Sequence, residues 1–324
     1  MAILSEIIAQ LRQSLGIRQK QDIQLASQYL GRSQLNSDRQ NESILLGDDC
    51  AAIWRGDRYL LLAAEGMLPS LVTAEPWFAG WCAVMVNVSD IYAMGGEPIA
   101  VVDTLWSPST QESHELWEGM QAAAEAYRVP IVGGHTNYHS PYTALSVAIL
   151  GEARHLITSF HAREGDTLLM AVDLRGQFYR DYPFWNAATE SDRQQLRDDL
   201  AVLPKIANLG WCDAGKDISM GGVLGTTLML LETSGCGAVI DLEAIPKPEN
   251  CDRMRWLQSF PSYGFLLSAR SQYVPLIQAA FQERGLSCEA IGSINNSREL
   301  ILELGNQRAT FWNLAAEPLM GWAE

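Results

Sequence analysis

Apolar residues recur at helical spacing near the start of the chain, and this repeat predicts two short amphipathic helices before Gly31. The apolar positions are Ile3, Leu4, Ile7, Ile8, Leu11 and Leu15 in the first helix and Leu25, Tyr29 and Leu30 in the second. The polar stretch from residue 31 to 43 is typical of a loop. It leads into a short apolar strand at 44–46.

The rest of the first half alternates between patterns typical of strands and of helices. Strands are predicted at 58–64, 98–105, 129–132 and 144–150, and helices at 76–94 and 109–127. The composition turns polar between residues 152 and 164, and a new apolar alternation begins at Gly165. We therefore expect two domains, one at 1–155 and the other at 156–324.

The second half also mixes both kinds of pattern. Helices are predicted at 190–200, from Val223 to a stop at Gly235, and at 274–284, with a loop at 214–222. Strands are predicted at 238–242, 264–269 and 300–304. Because strands and helices alternate in both halves, the fold class is α/β or α+β.

Charge and composition narrow the class of protein. The 324 residues include 23 Lys and Arg against 38 Asp and Glu, and 23 − 38 gives a net charge of −15. Nucleic acids and anionic membrane surfaces attract cationic side chains, so neither is an expected partner. No signal peptide or apolar run long enough to span a membrane is visible, and we expect a cytoplasmic protein.

Acidic residues follow predicted strands at several places. Gly47, Asp48 and Asp49 come directly after the first apolar strand, Glu65 follows the next strand, and Asp90 lies in the helix at 76–94. Adjacent carboxylates repel each other, and a hard cation such as Mg²⁺ stabilises them. The alternative is a solvated turn, because Gly-Asp-Asp is also a common turn sequence.

Two glycine-rich segments are candidate phosphate sites. Lys216, Asp217 and Ser219 precede Gly221 and Gly222 at the start of a predicted helix, where free backbone N–H groups favour an anion. The alternative is an ordinary helix start capped by Ser219. The other segment ends a predicted strand, and its histidine could equally be a hydrogen-bonded strand residue. It consists of Gly133, Gly134, His135 and Thr136.

These segments, in this order, resemble the superfamily of aminoimidazole ribonucleotide synthetase, thiamine-monophosphate kinase, selenophosphate synthetase and a hydrogenase maturation factor. The segment from Gly80 to Pro98 resembles the long signature of the thiamine-monophosphate kinases, and 47–51 resembles their metal motif. Residues 133–136 are similar to the selenophosphate synthetase form, and 217–222 to the glycine-rich loop of the second domain. The resemblance covers 44–305 and extends to uncharacterised cyanobacterial proteins related to aminoimidazole ribonucleotide synthetase.

The resemblance implies two α/β domains and a homodimer in which the N-terminal sheets of two subunits close a barrel. It also implies ATP and Mg²⁺ in the cleft. The implied metal ligands are Asp48, Asp49, Glu65 and Asp90, and the implied catalytic residues are Asp49, Asp90 and Asp217. The implied nucleotide-binding residues are Gly47, Asn87, Gly133, Gly134, His135, Thr136, Lys216, Ser219, Gly221 and Gly222.

The expected function is ATP- and Mg²⁺-dependent phosphoryl transfer to an oxygen of a small molecule, with the phosphate either kept or later displaced. The alternative is a non-catalytic nucleotide-binding or partner protein. Two departures from the kinase pattern leave the substrate open. Cys82 stands where the kinases commonly have Lys or Arg, and Met220 replaces the second acid of their glycine-rich loop.

Overall fold

The computed structural model describes residues 2–30 and 46–321. Three helices, not two, lie near the N-terminus: α1 (Ala2–Arg12), α2 (Leu15–Gln21) and α3 (Ile23–Leu30). Leu15 begins a helix of its own because the Ser14 side chain accepts a hydrogen bond from the Ile17 backbone N–H and caps α2. The predicted loop at 31–43 and the first two residues of the strand predicted at 44–46 lie outside the described residues.

A five-stranded sheet forms the first half of the fold. Its strands are β1 (Ala51–Trp54), β2 (Tyr59–Gly66), β3 (Glu97–Trp106), β4 (Ile131–Asn137) and β5 (Ala144–Ala153). They lie in the order β1-β2-β5-β3-β4, and all neighbours are antiparallel except β3 and β4. The helices of this half are α4 (Pro69–Ala74), α5 (Pro76–Ala93) and α6 (Thr110–Tyr127).

Helix α5 is the centre of this half. Every residue from Phe78 to Ala93 is buried, as expected for a helix that is apolar on nearly all sides. It packs against α6 and against β2, β3 and β5. Any polar residue on α5 is therefore held inside the protein.

The other face of the first sheet is apolar and open to solvent. Leu62 on β2, Val102 on β3 and Val132 on β4 are 49%, 42% and 63% exposed. Within the described residues the sheet is not a closed barrel, because β1 and β4 form its two edges. An apolar sheet face of this kind is unusual in a monomer and is typical of an interface.

The second half contains a seven-stranded sheet in the order β15-β14-β10-β13-β6-β12-β9 and a small sheet in the order β11-β8-β7. The strands are β6 (Thr167–Val172), β7 (Gln177–Phe178), β8 (Phe184–Asn186), β9 (Ala214–Asp217), β10 (Gly237–Asp241), β11 (Phe260–Pro261), β12 (Gly264–Ala269), β13 (Ser287–Asn295), β14 (Glu299–Leu304) and β15 (Gln307–Asn313). The helices are α7 (Arg193–Leu200), α8 (Val202–Asn208), α9 (Gly222–Ser234), α10 (Arg253–Leu257) and α11 (Val274–Gln282). The mixed α/β class is confirmed.

Strand β6 separates two hydrophobic cores. Leu169 and Ala171 face the core that also contains α5, whereas Leu168 and Met170 face the core around α9. Alternate side chains of a strand point to opposite faces, so burial on both sides explains the continuous apolar run of β6. The first core thus joins the two halves of the protein.

The N-terminal helices pack against the C-terminal half of the chain. The Arg12 guanidinium donates to the Phe311 carbonyl oxygen at 2.8 Å, and the Gln24 amide donates to the Pro318 carbonyl oxygen at 2.8 Å. Helix α2 also contacts α9. The domain boundary at residue 155 stays a prediction. None of the described helices is long and apolar enough to cross a membrane.

Candidate active site

Three aspartates from distant parts of the chain meet beside α5. Asp49 lies in the segment before β1, Asp90 is on the last turn of α5, and Asp217 ends β9. One carboxylate oxygen from each lies within 4.8 Å of the others, which is compatible with binding of one metal ion. Asp90 and Asp217 are each only 6% exposed. We call these residues the acid cluster.

Lys216 is the cation that faces the acid cluster. Its ammonium group forms an ion pair with Asp49 and lies 4.0 Å from an Asp48 oxygen. The backbone N–H of Asp217 donates a second hydrogen bond to Asp49 at 3.3 Å. Pairing of β9 with β12 fixes these two neighbouring residues at the edge of the seven-stranded sheet.

Asp48 is bound by protein donors and is not in the acid cluster. One of its oxygens accepts hydrogen bonds from the Thr158 hydroxyl and from the Ser159 backbone N–H, the latter at 2.8 Å. The other oxygen accepts from the Asp49 backbone N–H at 3.0 Å. The geometry therefore favours Asp48 as an anchor of the segment that carries Asp49, and its predicted role as a metal ligand has no support from the cluster.

Burial and mutual repulsion disfavour negative charge in the acid cluster. Burial, and next the Asp217 charge, raise the pKa of Asp90 well above its ordinary value. Burial raises the pKa of Asp49 to about 6, although Lys216 opposes the shift, and it also raises the pKa of Asp217. Burial alone would lower the pKa of Lys216, but Asp49 and then Asp48 outweigh it and raise that pKa. The site therefore lacks positive charge near Asp90.

A cavity of about 490 Å³ opens from the acid cluster. Its polar end is lined by predicted site residues: Gly47, Asp48, Asp49, Glu65, Asp90, Lys216, Asp217 and Ser219. The Ser219 hydroxyl oxygen and one Asp90 oxygen are buried and have no hydrogen-bond partner among the described residues. The remaining wall is mainly apolar and aromatic. The cavity therefore has polar groups that a ligand could satisfy.

The structure does not bring the segment from 133 to 136 to this cavity. The prediction that these residues follow a strand is wrong, because they lie within β4, an edge strand on which 132–136 are exposed. A side chain at Gly134 would begin 2.3 Å from the Asp103 carbonyl oxygen on β3, so strand packing accounts for that glycine. The nucleotide-binding role of Gly133, Gly134, His135 and Thr136 stays a prediction.

Asn87 lies inside α5 and does not line the cavity. Its side-chain N–H group donates to the Ala83 carbonyl oxygen at 2.8 Å, one turn earlier in the helix. Its side-chain oxygen is buried and has no partner among the described residues. The predicted contact between Asn87 and a nucleotide stays a prediction.

Gly221 and Gly222 do not line the cavity either. Gly222 has a φ angle of +65°, and a side chain there would begin 2.1 Å from the Leu257 carbonyl oxygen. Close packing against the end of α10 therefore requires this glycine without any phosphate. Gly221 is the N-terminal cap of α9, and no side chain caps the helix, so the alternative that Ser219 caps it is wrong.

Lys20 is the main cavity residue that the sequence patterns do not identify. It comes from α2 and is close enough to Glu65, Asp49 and Asp217 for their charges to act on its ammonium group. Burial, and next the Lys216 charge, lower the pKa of Lys20. It forms no ion pair within 4.0 Å among the described residues. The signal available in the sequence is the scarcity of lysine, of which the chain has four.

Comparison with known proteins agrees with the fold. The family model for the AIR synthase related protein, N-terminal domain, matches residues 47–153, and the C-terminal domain model matches 161–305. A protein of Synechocystis that carries the name uncharacterized protein is 55% identical over 99% of both chains.

Two matches carry functional names. A thiamine-monophosphate kinase of Synechococcus elongatus is 27% identical over 66% of this chain and 75% of its own length. The solved structure of AaThiL complexed with AMPPCP and TMP superposes with a TM-score of 0.67 at 20% identity. It covers 90% of this chain and 96% of that one, which supports the fold.

Proposed function

We propose an activity for this chain, which belongs to the family of AIR synthase related proteins: it transfers the γ-phosphoryl group of ATP to an oxygen of a small molecule. The observation that carries the proposal is the acid cluster at the polar end of a cavity. Phosphoryl transfer depends on positioning and charge neutralisation more than on a protein nucleophile. Buried carboxylates beside a ligand-sized cavity supply that setting.

The residues fit Mg²⁺. The acid cluster offers carboxylate oxygens within 4.8 Å of one another, and one buried Asp90 oxygen has no partner among the described residues. We assign Asp49, Asp90 and Asp217 as the residues that would hold the metal. When bound, Mg²⁺ would neutralise phosphate charge and relieve the repulsion that raises the pKa of Asp90.

Two lysines would contact the phosphates from opposite sides of the cavity. Lys216 is fixed by its ion pair with Asp49, whereas the Lys20 ammonium is free of ion pairs among the described residues and can bind a phosphate oxygen. The unpartnered Ser219 hydroxyl lines the same end and can donate to a phosphate oxygen. Together these groups would orient the γ-phosphoryl group.

The reaction balances without a covalent enzyme intermediate. A bond forms between the acceptor oxygen and the γ-phosphorus, the bond from that phosphorus to the bridging oxygen breaks, and ADP leaves with the electron pair. The acceptor proton passes to a carboxylate, for which we assign Glu65 because it lines the cavity outside the acid cluster. Burial raises the pKa of Glu65, which helps it to hold a proton.

Relatives support the ATP-dependent part of the proposal. Matching proteins include kinases by name, and AaThiL was solved with the nucleotide analogue AMPPCP. Their acceptors are properties of those proteins. The substrate of this chain has to follow from its own cavity.

ADP release measured across a metabolite library tests the proposal. We expect release that requires both Mg²⁺ and one acceptor class, and that falls at least a hundredfold in Asp90→Asn. Asp57→Asn, in the exposed turn between β1 and β2, is the matched control and should keep the activity. Lys20→Met should raise the KM for ATP, while Lys205→Met, on the surface of α8, should not. Nucleotide binding with no release for any compound would favour a non-catalytic nucleotide-binding protein instead.

A further inference from the structure

The cavity has an apolar arm that leads away from the acid cluster along α5. Its wall includes Leu71, Phe78, Trp81, Cys82, Met85 and Phe184. Phe78, Cys82 and Met85 repeat at helical spacing on the face of α5 that leads to Asp90. At 1.5 Å per residue, Phe78 and Asp90 lie about 18 Å apart along the helix axis. The arm is therefore long enough to hold the body of a molecule whose reactive oxygen reaches the polar end.

The charges around the cavity do not suit a phosphorylated acceptor. Its described lining has two cationic residues, Lys20 and Lys216, and neither arginine nor histidine. Five carboxylates line it as well: Asp48, Asp49, Glu65, Asp90 and Asp217. Both lysines lie at the end of the acid cluster, where the phosphates of ATP would bind. A second phosphate in the apolar arm would lose its hydration without a cation to replace it.

One polar group in the arm has no partner. Trp81 lines the cavity and is 5% exposed, and its indole N–H has no acceptor among the described residues. Asn186 and Ser262 also line the cavity, but the Asn186 oxygen accepts from the Ala188 N–H and the Ser262 oxygen accepts from the Ala187 N–H. A buried N–H donor without an acceptor is costly, so a ligand that places one oxygen near Trp81 would gain from the contact.

We infer that the acceptor is a ring-bearing, largely apolar alcohol or acid that carries no phosphate of its own. This inference rests on the proposed function. Its apolar body would fill the arm beside Phe78 and Met85, one oxygen would accept from the Trp81 N–H, and another would face the acid cluster. Adenine fits the arm poorly, because it has polar atoms on several edges and the arm offers one free donor.

Ligand-observed NMR titrations of the full chain test the inference. The probes are 2-naphthol, benzyl alcohol and tryptophol, each paired with its phosphate ester, in the presence of Mg²⁺ and AMPPCP. We expect at least one alcohol to bind at least fivefold more tightly than its ester. Trp81→Phe should weaken that alcohol at least threefold. Trp77→Phe is the matched control, since Trp77 stacks on Trp81 at 5.6 Å but does not line the cavity, and it should change the affinity less than twofold.

Three results would overturn the inference: esters that bind as tightly as their alcohols, no binding by any alcohol, or displacement of the alcohol by adenosine. The proposed function is tested separately by AMPPCP in the same samples. If AMPPCP fails to bind, the proposed function fails, while the comparison of alcohols with esters still decides what the arm accepts.

Discussion

The residues that hold the candidate metal site differ in how visible they are in the sequence. Asp49, Asp90 and Asp217 lie in segments that resemble family motifs, so the sequence identifies all three. Lys20 lies in an amphipathic helix with nothing local to distinguish it from Arg18, and only the packing of α2 on α9 brings it to the cavity. Hydrogen bonds to a carboxylate from a distant linker, like those that hold Asp48, have no sequence signature.

The acid cluster should make the metal-free protein more stable at mildly acidic pH. The pKa of Asp49 is raised from 3.8 to about 6, so the folded state holds this proton more tightly than the unfolded chain does. That contribution is fully present below pH 3.8 and is lost as the pH rises through about 6. The pKa values of Asp90 and Asp217 are shifted in the same direction. We expect the free energy of unfolding in urea to rise on the order of 1–3 kcal/mol between pH 8 and pH 5.5.

Asp90→Asn is the variant that checks this cause. It removes a buried charge, so the pH dependence between pH 8 and pH 5.5 should flatten and the metal-free protein should gain stability at pH 8. Asp49→Asn should instead lose stability, because Lys216 loses its ion-pair partner. An equally steep pH profile in Asp90→Asn would contradict the account of the acid cluster.

At the scale of elements, long periodic segments are predicted well and short or bent ones are not. The helix predicted at 76–94 is α5, and the strand at 144–150 is part of β5. Strand β9 is missed because its four residues, Ala214–Asp217, are too short for a period and contain a glycine. The glycines at 221 and 222 suggest a phosphate loop, whereas contact with α10 explains Gly222.

Gly222→Ala should destabilise the protein much more than Gly210→Ala. Both glycines have positive φ angles, +65° and +67°, but only Gly222 has a backbone atom within contact distance of a new side chain. The left-handed backbone costs an alanine about 1–2 kcal/mol at either position. We expect Gly222→Ala to exceed Gly210→Ala by at least about 2 kcal/mol in urea unfolding, since the clash with Leu257 adds to that cost. Equal losses would show that the contact with α10 yields easily.

At the scale of the whole molecule, the open face of the first sheet is the feature that one chain leaves uncovered. The resemblance implies a barrel closed across a homodimer, and the sheet supplies apolar residues where such a contact would need them. Sequence patterns identify the strands but not this face, because both faces of β2 and β3 carry apolar side chains.

We expect light scattering with size exclusion to report about twice the 35.8 kDa of the chain. Val102→Lys should yield a folded monomer, because Val102 is exposed within one chain and a lysine there would be buried in the dimer. Leu276→Lys, at a comparably exposed position on α11, should remain dimeric. A wild-type monomer at micromolar concentration would rule out the barrel.

The central claim is that the acid cluster binds a nucleotide through a divalent metal. Calorimetric titration with AMPPCP tests it most directly, with and without Mg²⁺, on the wild type, Asp90→Asn and the surface control Asp57→Asn. We expect wild-type binding that depends on Mg²⁺, an affinity at least tenfold weaker in Asp90→Asn, or about 1.4 kcal/mol, and an unchanged affinity in Asp57→Asn. Equal affinity without Mg²⁺, or unchanged affinity in Asp90→Asn, would contradict the claim.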